Sequence, residues 1–116
     1  MKLLTKEVQR KLLANVDLPE NERKPWLKLF GGSACTWLIS EIVEIIPNSG
    51  GDMTLFGLCD LGMGFPELGY VSFRELREVK FPPFGLPIER DLTWLPTHTV
   101  GEYATAARAK GHIVEP

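Results

Sequence analysis

The stretch that decides the fold runs from Pro25 to Asp60, PWLKLFGGSACTWLISEIVEIIPNSGGDMTLFGLCD. Its first residues alternate: Trp26, Lys28 and Phe30 fall on one side and Leu27 and Leu29 on the other, which is the period of a strand. Gly31-Gly32-Ser33 supplies a turn. The run from Ala34 to Ile45, rich in Thr, Trp, Ile and Val, is a second strand. Pro47-Asn48-Ser49-Gly50-Gly51-Asp52 is a dense turn signal, and Met53 to Cys59 makes a third strand. Strands joined by turns this short pair antiparallel, because a parallel pair needs a crossover of about a dozen residues or more. Gly57, inside the third strand, marks a bulge or a close approach of a neighbouring backbone.

Upstream, the period is helical. Thr5 can cap a helix by accepting from a backbone N–H one turn on. Leu4, Val8, Leu12 and Leu13 then share one face, Lys6, Glu7, Arg10 and Lys11 the other, and Asn15 is a stop. Val16 to Lys24 is polar, carries Pro19 and reads as a loop with a solvated mixture of charges.

Downstream, Asp60 to Pro66 is a glycine-rich loop and Glu67 to Ser72 a short fourth strand. Ser72-Phe73-Arg74-Glu75 has capping-box spacing, so a helix of about two turns follows, with Phe73, Leu76 and Val79 on one face, and Pro82 and Pro83 end it. Ile88 to Leu95 is expected to be a fifth strand. Thr99-Val100-Gly101-Glu102 is a second capping-box spacing. Val100, Tyr103, Ala104 and Ala107 follow at helical intervals up to Gly111, a C′ glycine. The expected class is α+β: a four- or five-stranded, mainly antiparallel sheet with an N-terminal helix, a short helix before the last strand and a C-terminal helix.

Composition bounds what such a chain can do. Its 116 residues suit a single domain, 1–116,. Apolar residues make up 44% and charged residues 24%, the balance of an ordinary globular protein, and a net charge of −2 leaves no broad basic field to hold nucleic acid,. Cys35 and Cys59 lie in apolar runs and read as buried thiols rather than a disulfide framework. The N-terminus turns polar too soon for a signal peptide, and no apolar run approaches the ~20 residues of a membrane span. The cytoplasm is the expected location, with no membrane partner.

Chemistry is sparse. His98, His112 and the two isolated cysteines offer no metal-ligand spacing, so no metal and no cofactor is expected. Gly62-Met63-Gly64 is followed by Phe65-Pro66-Glu67 and a strand, which suits a hairpin rather than a phosphate-binding loop. Asp52, Asp60, Glu67, Glu89 and Asp91 flank strands. If Asp52, Asp60, Glu89 and Asp91 came within about 6 Å of one another they could hold a cation or divide acid and base roles.

The most unusual feature is Gly85-Leu86-Pro87-Ile88-Glu89-Arg90-Asp91-Leu92-Thr93-Trp94, three charges in a row inside an apolar frame. A strand there sets Glu89 and Asp91 on one face and Arg90 with Ile88, Leu92 and Trp94 on the other. Arg90 then either anchors a neighbouring carboxylate within the fold or grips an acidic group of a partner. Glu89, Arg90 and Asp91 are the candidate binding residues. Trp26, Trp37 and Trp94 are expected in or beside the core, with a small basic edge at Arg23, Lys24 and Lys28 beside Trp26.

Five blocks in order carry a family resemblance: Leu3-Leu4-Thr5-Lys6-Glu7, Cys35-Thr36-Trp37, Leu55-Phe56-Gly57-Leu58, Glu67-Leu68-Gly69-Tyr70-Val71-Ser72 and Gly85 to Leu92. From about Leu3 to Pro96 the chain resembles the family catalogued as domain of unknown function 2958. The resemblance implies a small bacterial protein carried on plasmids and other mobile elements, with no established activity and no site residues to transfer. Thr97 to Pro116 then looks like a C-terminal helical extension.

The leading expectation is a non-enzymatic accessory protein that binds another macromolecule, protein before nucleic acid. The alternative is a metal-dependent enzyme acting on nucleic acid through the strand-end carboxylates. A third is a self-associating structural protein.

Overall fold

The computed structural model describes residues 2–116. Strands β1 (Leu27–Gly31), β2 (Cys35–Ile45), β3 (Met53–Asp60), β4 (Glu67–Ser72) and β7 (Glu89–Arg90) form one sheet in the order β4-β3-β2-β1-β7. Every pairing in it is antiparallel. Helices α1 (Lys6–Asn15), α2 (Phe73–Glu78) and α3 (Val100–Lys110) complete an α+β architecture. A separate two-residue hairpin, β5 (Lys80–Phe81) with β6 (Leu86–Pro87), was not anticipated from sequence.

Alternation along the strands gives the sheet two buried faces. Leu27, Leu29, Trp37, Ile39 and Leu55 pack with Leu12 of α1 and with Phe73 and Leu76 of α2. Leu38 and Leu58 point the other way and pack with Val100, Tyr103, Ala104 and Ala107 of α3. Two alanines on the buried stripe let α3 lie close to the strands. Each fully buried Leu or Ile contributes roughly 1.5–3 kcal/mol, so the two faces, not helix propensity, hold α1 and α3 in place.

Strand β2 departs from simple alternation. Its register against β3 breaks between Ile39 and Glu41 and again between Ile42 and Glu44. Each break inserts one unpaired residue, so Ile39 and Ile42, three apart, both reach the α1 side,. Gly57 stands opposite Ile39. A Cβ there would lie 2.7 Å from the Ile39 Cα and closer still to the Leu38 carbonyl oxygen, so the expected close approach is real.

The helix ends follow the predicted chemistry with one difference. Thr5 accepts from Val8 N at 3.2 Å, the Thr99–Glu102 box closes in both directions, and Gly111 ends α3 at φ +78°. Ser72 accepts from Glu75 N, but the reciprocal half of that box is missing. Asp52 supplies a different cap: Oδ1 accepts from Ser72 Oγ at 2.9 Å and from Arg74 N, in the first turn of α2, at 3.0 Å.

Three expectations need correction. The strand expected over Ile88–Leu95 is only Glu89–Arg90, because Asp91 Oδ1 accepts from Thr93 N and Trp94 N and turns the chain off the sheet edge. Cys35 and Cys59 are free but only half-buried. Burial raises both thiol pKa values, with the Asp60 charge adding to it at Cys35. Finally, Arg23 is not solvated surface, since its guanidinium is held against Glu41.

Candidate functional site

The short reach of β7 creates the site. Its two residues pair with Leu29 and Phe30, and one further bond, Asp91 N to Lys28 O at 3.0 Å, finishes the contact. Beyond it the chain turns away, and the start of β1 opens into a groove of about 360 Å³ between α1 and residues 90–95. Lys11, Trp26, Lys28, Arg90, Leu92 and Trp94 are among its walls.

Two indoles stand half-buried in this groove, each under a cation. Lys11 Nζ lies 4.3 Å from the Trp26 ring centroid and Lys28 Nζ 5.6 Å from that of Trp94. Both cations also face carboxylates, Lys11 with Glu7 at 3.7 Å and Lys28 with Asp91 at 3.9 Å. Trp26 packs toward the α1 side, whereas Trp94 packs against Tyr103 of α3, the rings tilted by 53° with centroids 5.8 Å apart. The groove therefore straddles the sheet edge. Leu92 and Leu95 are 64% and 72% exposed at its rim.

Arg90 and Asp91 of the sequence-predicted trio line this groove, while all three, Glu89, Arg90 and Asp91, line an adjoining depression of about 340 Å³ with Phe30, Leu92 and Thr93 on the outer side of β7. Arg90 is half-buried, and among the described residues its guanidinium bonds no carboxylate. Its Nε donates to the Lys2 carbonyl at 3.1 Å, which anchors the N-terminal segment. Asp91 is the turn residue as well as the partner of Lys28. The Trp26–Lys28 edge and the Arg90–Asp91 edge, two separate features of the sequence, line one groove. Lys11 was missed; its only sequence signal was Glu7 four residues earlier on the polar face of α1.

The strand-end carboxylates stand apart. Asp52 and Asp60 mark the two ends of β3, roughly 26 Å of extended chain,. Glu89 and Asp91 lie across β2 and β1 at the sheet's far edge. Asp52 is enclosed by bonds from Met53 N, Ser72 and Arg74 N. The Arg74 amide above all, with Ser72 and Met53, holds its pKa below the ordinary value against a smaller opposing effect of burial. Asp60 accepts from Gly62 N and Ile113 N. No group of three or more His, Cys, Asp or Glu among the described residues could hold a metal ion.

The remaining features have structural roles. Gly62-Met63-Gly64 turns the β3–β4 hairpin. His98 sits edge-on to Tyr103. No described helix is long and apolar enough to cross a membrane.

The chain belongs to the family described as protein of unknown function (DUF2958), whose model matches residues 3–114. That match runs through α3, beyond the Leu3–Pro96 span over which the sequence blocks resemble the family. No curated protein and no solved structure matches the chain.

Proposed function

We propose that this chain is a non-enzymatic accessory protein of bacterial mobile elements, acting in the cytoplasm by binding another protein through the groove between α1 and Arg90–Leu95. The observation that carries the reading is the pair of cation-covered indoles, Trp26 and Trp94, beside exposed Leu92 and Leu95. Trp and Arg concentrate binding energy in protein interfaces, Trp because it buries a large area while ordering two rotatable bonds and Arg because its planar guanidinium makes bidentate, charge-assisted contacts. The partner segment carries apolar side chains for the indoles and leucines and a carboxylate for Arg90, whose side chain bonds only through Nε among the described residues and so keeps two terminal nitrogens for bidentate contact,.

The same aromatic and basic pairing occurs where single-stranded nucleic acid stacks on a protein. Charge balance argues against that here, because two of the three cations in the groove, Lys11 and Lys28, are paired with Glu7 and Asp91 and the whole chain carries −2,. Recovery of partners from a bacterial lysate, with and without nuclease, separates the two. The expected result is a protein retained after nuclease and lost when Arg90→Ala replaces the wild type. Loss on nuclease treatment overturns the reading. So does turnover of a nucleic acid or nucleotide that Glu89→Ala or Asp91→Ala abolishes.

A further inference from the structure

The opposite edge of the sheet carries a different feature. Strand β4 pairs with β3 from Glu67↔Cys59 to Ser72↔Thr54 and, among the described residues, has no strand on its other side. Open edges are normally blunted by a proline, an inward-pointing lysine, a bulge or a covering loop. Glu67-Leu68-Gly69-Tyr70-Val71-Ser72 has none of the first three, and its only charge is at its first residue.

Apolar surface flanks the edge on both faces of the sheet. On the α3 side, Tyr70 is 68% exposed and its ring centroid lies 5.0 Å from that of Phe56. On the other side, Val71 borders a groove of about 450 Å³ shared with Leu76 and Val79. Between them Gly69 leaves open space, with no atom within 4 Å of where a Cβ would stand. A strand added here can bury alternate side chains on both faces.

We propose that the occupant is a second copy of this chain, its β4 pairing antiparallel with the first about a two-fold axis at Tyr70. An axis normal to the sheet keeps each face on its own side, so opposed residues must share a face, and pairing centred on Tyr70 meets that condition. Gly69 then faces the partner copy's Val71 in both halves, and the valine occupies the space the glycine leaves. Charge selects the same arrangement. Glu67 stands at one end of β4 and Arg74, exposed in the first turn of α2, just past the other. Antiparallel pairing brings each Glu67 toward the other copy's Arg74, whereas parallel pairing aligns like with like. Arg74 commits only Nη1 within the chain, to Ser49 O at 3.1 Å, and Glu67 has no ion pair among the described residues.

This edge and the α1–β7 groove lie at opposite ends of the strand order, so each can fail without the other. The test is sedimentation equilibrium of the full chain over a concentration series. The expected result is a mass rising from one copy to two. Glu67→Arg and Arg74→Glu should each weaken the dimer about five- to tenfold, two exposed pairs being altered at once. The double variant should recover most of that loss, because it restores opposite charges across the axis. Tyr70→Glu, which sets two carboxylates together on the axis, should leave only monomer. A single-copy mass at every concentration overturns the proposal. So does a dimer indifferent to these substitutions in variants whose circular dichroism matches the parent.

Discussion

Arg23 and Glu41 meet with Nη1 at 2.6 Å from Oε1, joining the loop after α1 to the bulged segment of β2. The Arg23 side chain is 19% exposed and that of Glu41 only 8%. Arg23 also donates to the carbonyls of Val16 and Leu18, and Ser40 Oγ donates to Glu41 Oε2. The two single substitutions should therefore differ. Arg23→Ala leaves a buried carboxylate with one hydroxyl donor and should cost about 3 kcal/mol. Glu41→Ala leaves a guanidinium that keeps two carbonyls near solvent, and should cost about 1–2 kcal/mol. Chemical denaturation measures both. Losses below about 1 kcal/mol for both would show that the pair is no more than a surface contact.

Gly57→Ala should cost at least about 3 kcal/mol or prevent folding. Its added methyl meets backbone, the Leu38 carbonyl and the Ile39 Cα, rather than a side chain that can rotate away,. Gly69→Ala, one strand over in space that is open within the single copy, is the control and, at concentrations where the chain is one copy, should lie within about 0.5 kcal/mol of wild type. If the two variants denature alike, the bulge opposite Gly57 is more pliant than this geometry implies.

That contrast shows how much the sequence could disclose. Gly57 was legible because a glycine amid Leu55, Phe56 and Leu58 has few other uses. The capped helices and antiparallel strands were legible for the same local reason. The length of β7 was not, since Asp91 acts as a turn residue only when its carboxylate meets the amides two and three residues on. Nor was the Arg23–Glu41 pair, although a glutamate inside the apolar run Ile39–Val43 was a signal that a cation must come from elsewhere. The groove was half-legible. Trp26-Leu27-Lys28 and Arg90-Asp91 could each be singled out, but the sheet alone places them on neighbouring strands.

Acid should destabilise the fold through two capping carboxylates. Bonds from the Arg74 amide, Ser72 and the Met53 amide lower the Asp52 pKa, and bonds from the Thr99 amide and hydroxyl lower that of Glu102. A carboxyl with a depressed folded pKa contributes stability that is complete above its unfolded value and lost as pH falls through the folded one. The ordinary values are 3.8 and 4.5, so the melting temperature should hold at neutral pH and fall once pH drops below about 4,. Asp52→Ala should melt lower at neutral pH and lose less on acidification. Parallel curves for parent and variant would remove Asp52 from this account.

The C-terminal residues bear on the groove through Glu115. Its carboxylate accepts from Trp94 Nε1 at 2.7 Å and from Tyr103 Oη at 3.4 Å, while Ile113 N donates to Asp60 at 3.0 Å. These bonds tie residues 113–115 to α3, to the end of β3 and to one wall of the α1–β7 groove. A chain ending at Gly111 keeps α3 and its capping glycine but leaves the Trp94 indole without its acceptor. It should lose about 1–2 kcal/mol, two or three net hydrogen bonds of modest value at partly exposed sites. Its tryptophan emission should shift to the red as Trp94 gains water. Glu115→Gln, which keeps one carboxamide oxygen to accept, should shift it less. An unchanged spectrum in the truncated chain would mean that α3 and Lys28, not the C-terminal residues, hold this indole in place.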